Sequence, residues 1–172
     1  YGSATRFEQI LLLPVLGLNT AIISIVAQNF GAKQFLRVKQ SYFHAIFYGF
    51  TIMVLAGIII YLSADNIVSI FTKNTDVIKY GSTYLKISAL IFPAYPIYFI
   101  SNGFFMAIKK SHYSMFLNII RNILLAIPTI YFAKFIGGTY NAFFWSYCIF
   151  NWIFMICLLI FVTFYINRYL QS

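Results

Sequence analysis

The chain has 172 residues, of which 62% are hydrophobic and only 9% charged, with a mean hydropathy of +0.84. Soluble domains carry about 25% charged residues, so a water-soluble globular domain is excluded and an integral membrane protein is indicated. The net charge of +9 does not point to nucleic acid, because the cations are scattered between apolar segments and form no basic face.

A bilayer crossing takes about 20 predominantly apolar residues. Five segments qualify: 7–30, 41–62, 80–108, 113–135 and 140–167. Short connections make them antiparallel neighbours in one all-α polytopic bundle, a single membrane domain over 1–172. In the first segment Pro14 and Gly17 interrupt the helix, and Asn19 and Thr20 sit inside it. A polar atom in hydrocarbon is costly unless a neighbouring helix or a wet cavity satisfies it. This helix is therefore expected to face a protein interior or a path, and Asn19 is a candidate for substrate contact or for packing between helices. Gln28 and Asn29 are expected to cap its end, with Gly31 supplying the permissive turn residue. The second segment is followed by a short apolar stretch, 66–71, expected to lie along the interface as a separate helix.

The third segment carries Pro93 and Pro96, each of which removes a helix donor and predicts a kink. Beyond them Tyr95, Tyr98 and Asn102 follow spacings of three and four, which places them on one helical face. Aromatic faces attract organic cations, so these three are substrate-cavity candidates, although tyrosine also belts membrane interfaces. In the fourth segment Pro128 is expected to bend the helix. Asn118 and Arg121 share a face, and Arg121 is expected either to snorkel to the surface or to join a polar network with Asn118. Asn151, in the fifth segment, is expected to hydrogen-bond between helices. Pro14, Pro93 and Pro128 are the candidate bending points.

Orientation follows from lysine and arginine in the short loops. One side holds Lys33, Arg37, Lys39, Lys109, Lys110 and Arg168, with Arg121 nearest to it; the other holds Arg6, Lys73, Lys79, Lys86 and Lys134, with Glu8, Asp65 and Asp76. Seven cations against five place the first side, and the C-terminus, in the cytoplasm. All three acids sit near the outer boundary, and none at mid-depth, where a coupling carboxylate is normally expected. Neither His44 nor His112 has a second metal ligand at useful spacing, and no nucleophile–base pair or phosphate loop exists. No catalytic residue, metal or cofactor is expected; Cys148 and Cys157 read as packing thiols.

A resemblance adds to this reading. Tyr1-Gly2, Thr5-Arg6, Glu8-Gln9, then Leu13-Pro14, Gly17-Leu18, Ala21, then Gln28-Asn29-Phe30-Gly31-Ala32-Lys33 resemble a helix and following loop of the multidrug and toxic compound extrusion (MATE) family. Ile70-Phe71-Thr72-Lys73 before Tyr84-Leu85, Ile127-Pro128 with Tyr131, and Gly137-Gly138 are similar to later family segments. The resemblance implies helices eight to twelve of a two-lobed, twelve-helix transporter in a bacterial inner membrane, with the first lobe and seventh helix outside this chain. It also implies export of small cationic or amphipathic organic compounds by sodium or proton antiport, the coupling ion being bound elsewhere in the full protein. Some members carry an acid on the tenth helix, near the place held here by Tyr95. A lipid-linked saccharide flippase of related architecture, and a non-transporting structural membrane subunit, remain as alternatives. The chain, which lacks an initiator Met, is expected to be a fragment of a longer protein embedded among membrane lipids.

Overall fold

A computed structural model describes residues 9–135 and 140–169, apart from the side chains at positions 71, 76, 124–126, 128, 133, 140 and 141. Arg6, Glu8 and the Gly137-Gly138 pair lie outside the described residues. Among the described residues, after a helical stretch at 9–11, six α-helices follow one another: α1 (Leu13–Gly31), α2 (Phe35–Phe71), α3 (Thr75–Ile91), α4 (Tyr95–Ala107), α5 (Ser111–Phe135) and α6 (Tyr140–Tyr169), with a short 3-10 segment, Phe92–Ala94, joining α3 to α4. Among the described residues four stretches are long and apolar enough to cross a membrane: Gln9–Gly31, Phe35–Ile70, Val77–Ala107 and Ala142–Tyr169. That is one fewer than the five expected. The fourth expected segment is the 25-residue α5, long enough at about 37 Å but diluted by Asn118, Arg121 and Asn122.

The second segment differs most from expectation. It does not stop near Leu62; α2 runs unbroken for 37 residues, about 55 Å, and absorbs the stretch 66–71 that was expected to form a separate helix. The reason is a buried seam at helical spacing: Val38, Tyr42, Gly49, Met53, Gly57, Ile60, Ala64 and Val68. Asp65 and Asn66 end the apolar run but are exposed, off the seam, while Ala64 and Val68 continue it. Helical packing thus outlasts the apolar window.

That seam lies antiparallel on α3 and α4. Tyr42 meets Ser101 at one end, with 2.8 Å between hydroxyl oxygens, and Val68 meets Gly81 at the other. Between them a Cβ added at Gly49 would sit 2.8 Å from the Pro96 Cβ, and one added at Gly57 would sit 2.8 Å from the Ala89 carbonyl oxygen. This close approach coincides with the proline break. Pro93 has no N–H for the Ala89 carbonyl, and Pro96 has none for that of Phe92. The Tyr95 N–H turns to the Phe92 carbonyl instead, the bare Gly57 backbone closes over the Ala89 oxygen, and the Trp152 indole N–H of α6 donates to the Leu90 oxygen at 3.0 Å. The kink carbonyls are thereby covered without needing solvent.

α4 is the axis of the bundle. Tyr95–Ala107 is buried at ten of its 13 positions, with α1 and α6 running parallel to it and α2 and α5 antiparallel. Phe105 packs on Phe161 and Tyr165 of α6 at centroid distances of 6.0 and 5.4 Å. The outer faces are apolar: Leu55, Ile59 and Leu62 of α2 and Ile153, Ile160 and Phe164 of α6 are exposed. The interior holds polar Ser101 and Asn151. Outer faces as apolar as the core, with a few polar groups enclosed, suit a lipid surround.

The turn after α1 corrects a smaller expectation. Gly31 is the last helical residue, and the left-handed conformation falls on Lys33, at φ 58°. The Gln34 N–H reaches back to the Asn29 carbonyl at 2.8 Å. Lys109, at φ 59°, repeats this after α4, with the Lys110 N–H bonded to the Phe105 carbonyl at 2.9 Å. Neither Gln28 nor Asn29 caps the end: their side chains turn back to the Ser24 hydroxyl and the Ile25 carbonyl.

Candidate functional site

One polar seam stands out, where α5 crosses α4. The substrate-face candidates on α4, taken as Tyr95, Tyr98 and Asn102, meet Arg121, Asn118 and Ser114 of α5 in antiparallel order. The Tyr98 hydroxyl donates to Asn118 Oδ1, Asn118 Nδ2 donates to the Ser114 carbonyl at 2.8 Å, and the Ser114 hydroxyl donates to Asn102 Oδ1. Above this ladder the Arg121 guanidinium lies over the Tyr98 ring, its Cζ 4.1 Å from the centroid, and 5.7 Å from that of Tyr95. The mirrored spacings, three and four on α4 against four and three on α5, are what let every rung meet.

The depth of this seam matters. At about 1.5 Å per residue, Arg121 lies about 15 Å along α5 from Ser111, half of a hydrocarbon core about 30 Å thick. Arg121 meets Asn118 through Tyr98, whose ring carries the guanidinium and whose hydroxyl donates to Asn118 Oδ1. The guanidinium lies nearer Tyr98 than Tyr95, which is toward the lysine-bearing ends of α1 and α4, the direction snorkelling would take. Asn122, next in sequence, is exposed and off the seam. Ser114 is a seam residue that the sequence reading missed; a serine in a helix commonly bonds its own backbone, and only the tight α4–α5 connection sets the register that brings it to Asn102.

The seam borders an uncovered strip of α4. α1 covers one flank, where Asn19 and Ile23 press on Gly103, and α5 covers the other. Between them Phe99 and Asn102 are half-buried and Met106 is 50% exposed. Asn19 therefore packs between helices: it is half-buried and its Oδ1 has no hydrogen-bond partner among the described residues. Asn151, expected to bond between helices, is fully buried with both ends of its amide unpartnered among the described residues.

The candidate bending points separate. Pro93 sits in the 3-10 break. Pro14 is exposed in the first turn of α1, just after the helical run from Gln9 breaks at Leu12, whereas α1 is continuous across Gly17, so the interruption expected at the glycine is absent. α5 runs unbroken through Pro128. Asp65, one of the three acids, pairs with Lys86 at 2.8 Å between α2 and α3. Among the described residues no group of His, Cys, Asp and Glu could hold a metal.

A polar seam on the axial helix of a bundle whose outer faces are apolar defines an integral membrane protein. Comparison with known proteins agrees. The MatE family profile matches residues 1–132, and the chain belongs to that family, whose solved relatives are transporters and not enzymes. It is 26% identical over 138 residues, 80% of this chain, to the FAD transporter of Shewanella oneidensis. It superposes at a TM-score of 0.88 and 21% identity, over 99% of its length, on an outward-facing multidrug resistance MATE transporter of the MOP superfamily. The same values hold for a MOP superfamily transporter of Pyrococcus furiosus, described as having a binding pocket of reversed polarity. These structural likenesses are of fold. The chain spans 30% of the length of the Shewanella relative and 38% of each solved chain.

Proposed function

We propose that this chain supplies most of one lobe of a two-lobed secondary active transporter that moves amphipathic organic compounds out of the cell by alternating access. The observation that carries the reading is the seam: a ladder of directed polar groups that runs from near the start of α5 to Arg121, about half-way through the bilayer, beside an uncovered strip of an otherwise encased helix. Costly groups at that depth mark substrate or ion pathways, and transporter sites of this kind lie near the midplane between lobes. The second lobe would close over the strip between α1 and α5. The basic ends of α1 and α4, with the C-terminus, would face the cytoplasm, on the lysine and arginine bias of the loops.

Coupling to sodium or protons is part of the proposal, with the coupling site contributed from outside the described residues, since these hold no carboxylate in the seam. The family resemblance favours cationic cargo. Arg121 favours a second reading, in which the cargo is anionic, including the pyrophosphate of a lipid-linked saccharide. The Shewanella relative's name and the reversed polarity described for the Pyrococcus protein are in keeping with such a departure.

The test is efflux of ethidium from cells expressing the full-length parent protein, with the sodium and proton gradients collapsed separately. Efflux that stops with one gradient supports cation antiport and names the ion. A protein that is expressed and inserted yet exports no ethidium refutes the cationic reading.

A further inference from the structure

We infer that the uncovered strip of α4 binds the oxyanion of an amphipathic substrate, a carboxylate or a phosphate, with Arg121 as its recognition residue. This rests on the transport reading, takes up its anionic form, and adds the residue and the strip that hold the charge. The Arg121 side chain is stacked, not paired. Its planar face is engaged by Tyr98 at 4.1 Å, which leaves the five N–H donors in the guanidinium plane to find acceptors. Asn118 Oδ1 takes the Tyr98 hydroxyl and Asn102 Oδ1 takes the Ser114 hydroxyl, and among the described residues neither oxygen takes a hydrogen bond from the guanidinium. Among the described residues the ion pair found is Lys86 with Asp65, between α2 and α3. A cation with open donors at mid-depth is expensive, and stacking on a ring offsets only part of that.

The neighbours have the same sign. Asn102 gives its oxygen to Ser114, so its amide nitrogen is the end left to donate, one turn along the strip from Tyr98. Phe99 and Met106 line the same strip and offer an apolar wall for the rest of the molecule. A cationic donor beside an aromatic and thioether wall fits an anion attached to an apolar or aromatic body. An organic cation would meet a like charge there, and would find the nearest tyrosine face already occupied.

The full-length protein, reconstituted in liposomes, is given two xanthene dyes of similar size, anionic carboxyfluorescein and cationic tetramethylrhodamine methyl ester, with a fluorescent phosphatidic acid in the membrane. One of the two anions is expected to move, and Arg121→Gln to slow it about ten- to hundred-fold, the equivalent of one or two charge-assisted hydrogen bonds. Arg121→Lys retains more, and movement of the cationic dye is not reduced. Whether carboxyfluorescein or phosphatidic acid moves distinguishes a soluble cargo from a lipid. Transport of the cation alone, or anion transport untouched by Arg121→Gln, overturns the inference while leaving the transport reading intact. If nothing moves, the transport reading fails, and carboxyfluorescein anisotropy with detergent-solubilised protein decides the site. Binding lost in Arg121→Gln supports it and absent binding overturns it. Melting curves of both variants, with exposed Asn122→Gln as control, show that the fold is kept.

Discussion

Glycine at two positions of this chain has opposite meanings, and exchanging each for alanine measures the difference. At Gly57 a Cβ would stand 2.8 Å from the Ala89 carbonyl oxygen, whereas at Gly17 nothing lies within 4 Å. Both are helical, so propensity alone favours alanine at each by about 0.5–1 kcal/mol. At Gly57 that gain is opposed by overpacking, which costs about 1–3 kcal/mol. The obstacle there is backbone in a proline break and cannot swing aside, so the upper half of that range applies. Gly57→Ala should be net destabilising by about 1–2 kcal/mol, and Gly17→Ala stabilising by up to about 1 kcal/mol. At about 2–4 °C per kcal/mol for a chain of this size, the two melting temperatures in detergent should move apart from wild type in opposite directions. Equal upward shifts in both variants would refute the claim that α2 seals the freed carbonyl by close approach.

Trp152→Phe keeps the ring but removes the donor to the Leu90 carbonyl, and should lower stability by about 1–3 kcal/mol; an unchanged melting curve counts against the bond. Gly103→Ala pushes a methyl into the Asn19 side chain and should destabilise, while adding Asn19→Ala should restore the loss, since that removes both the obstacle and an unpartnered oxygen. A double variant no better than the single one shows that the two positions do not meet. Lys109→Gly, at φ 59°, should gain about 1 kcal/mol by relieving left-handed strain, read as a raised melting temperature.

Some of this architecture was legible because the chemistry is local. Pro93 and Pro96 lack donors wherever they stand, and Tyr95, Tyr98 and Asn102 share a face in any α-helix. Other features depend on partners that spacing does not name. Gly49 and Gly57 look like ordinary membrane-helix glycines until α4 is laid against them, and Ser114 joins the seam only through the register set after Ala107. The length of α2 was misjudged because apolarity stops at Leu62 while the buried seam goes on through Ala64 and Val68. Lys33 took the left-handed turn position expected of Gly31 because the helix runs on through the glycine, and the bond from Gln34 to Asn29 fixes the turn two residues later.

The modest apolarity of α5 bears on how the chain is made. An arginine near a helix centre raises the cost of leaving the translocon by about 2.5–3.5 kcal/mol, and Asn118 and Asn122 add to it. α4 is synthesised first and already presents Tyr98 to receive the guanidinium. Integration of α5 should therefore depend on its predecessor: poor when a glycosylation-tagged α5 is expressed alone, good when α4 precedes it, and poor again when Tyr98 and Tyr95 are both replaced by leucine. The stacked arginine would then act during biogenesis as a checkpoint on the order in which the bundle assembles.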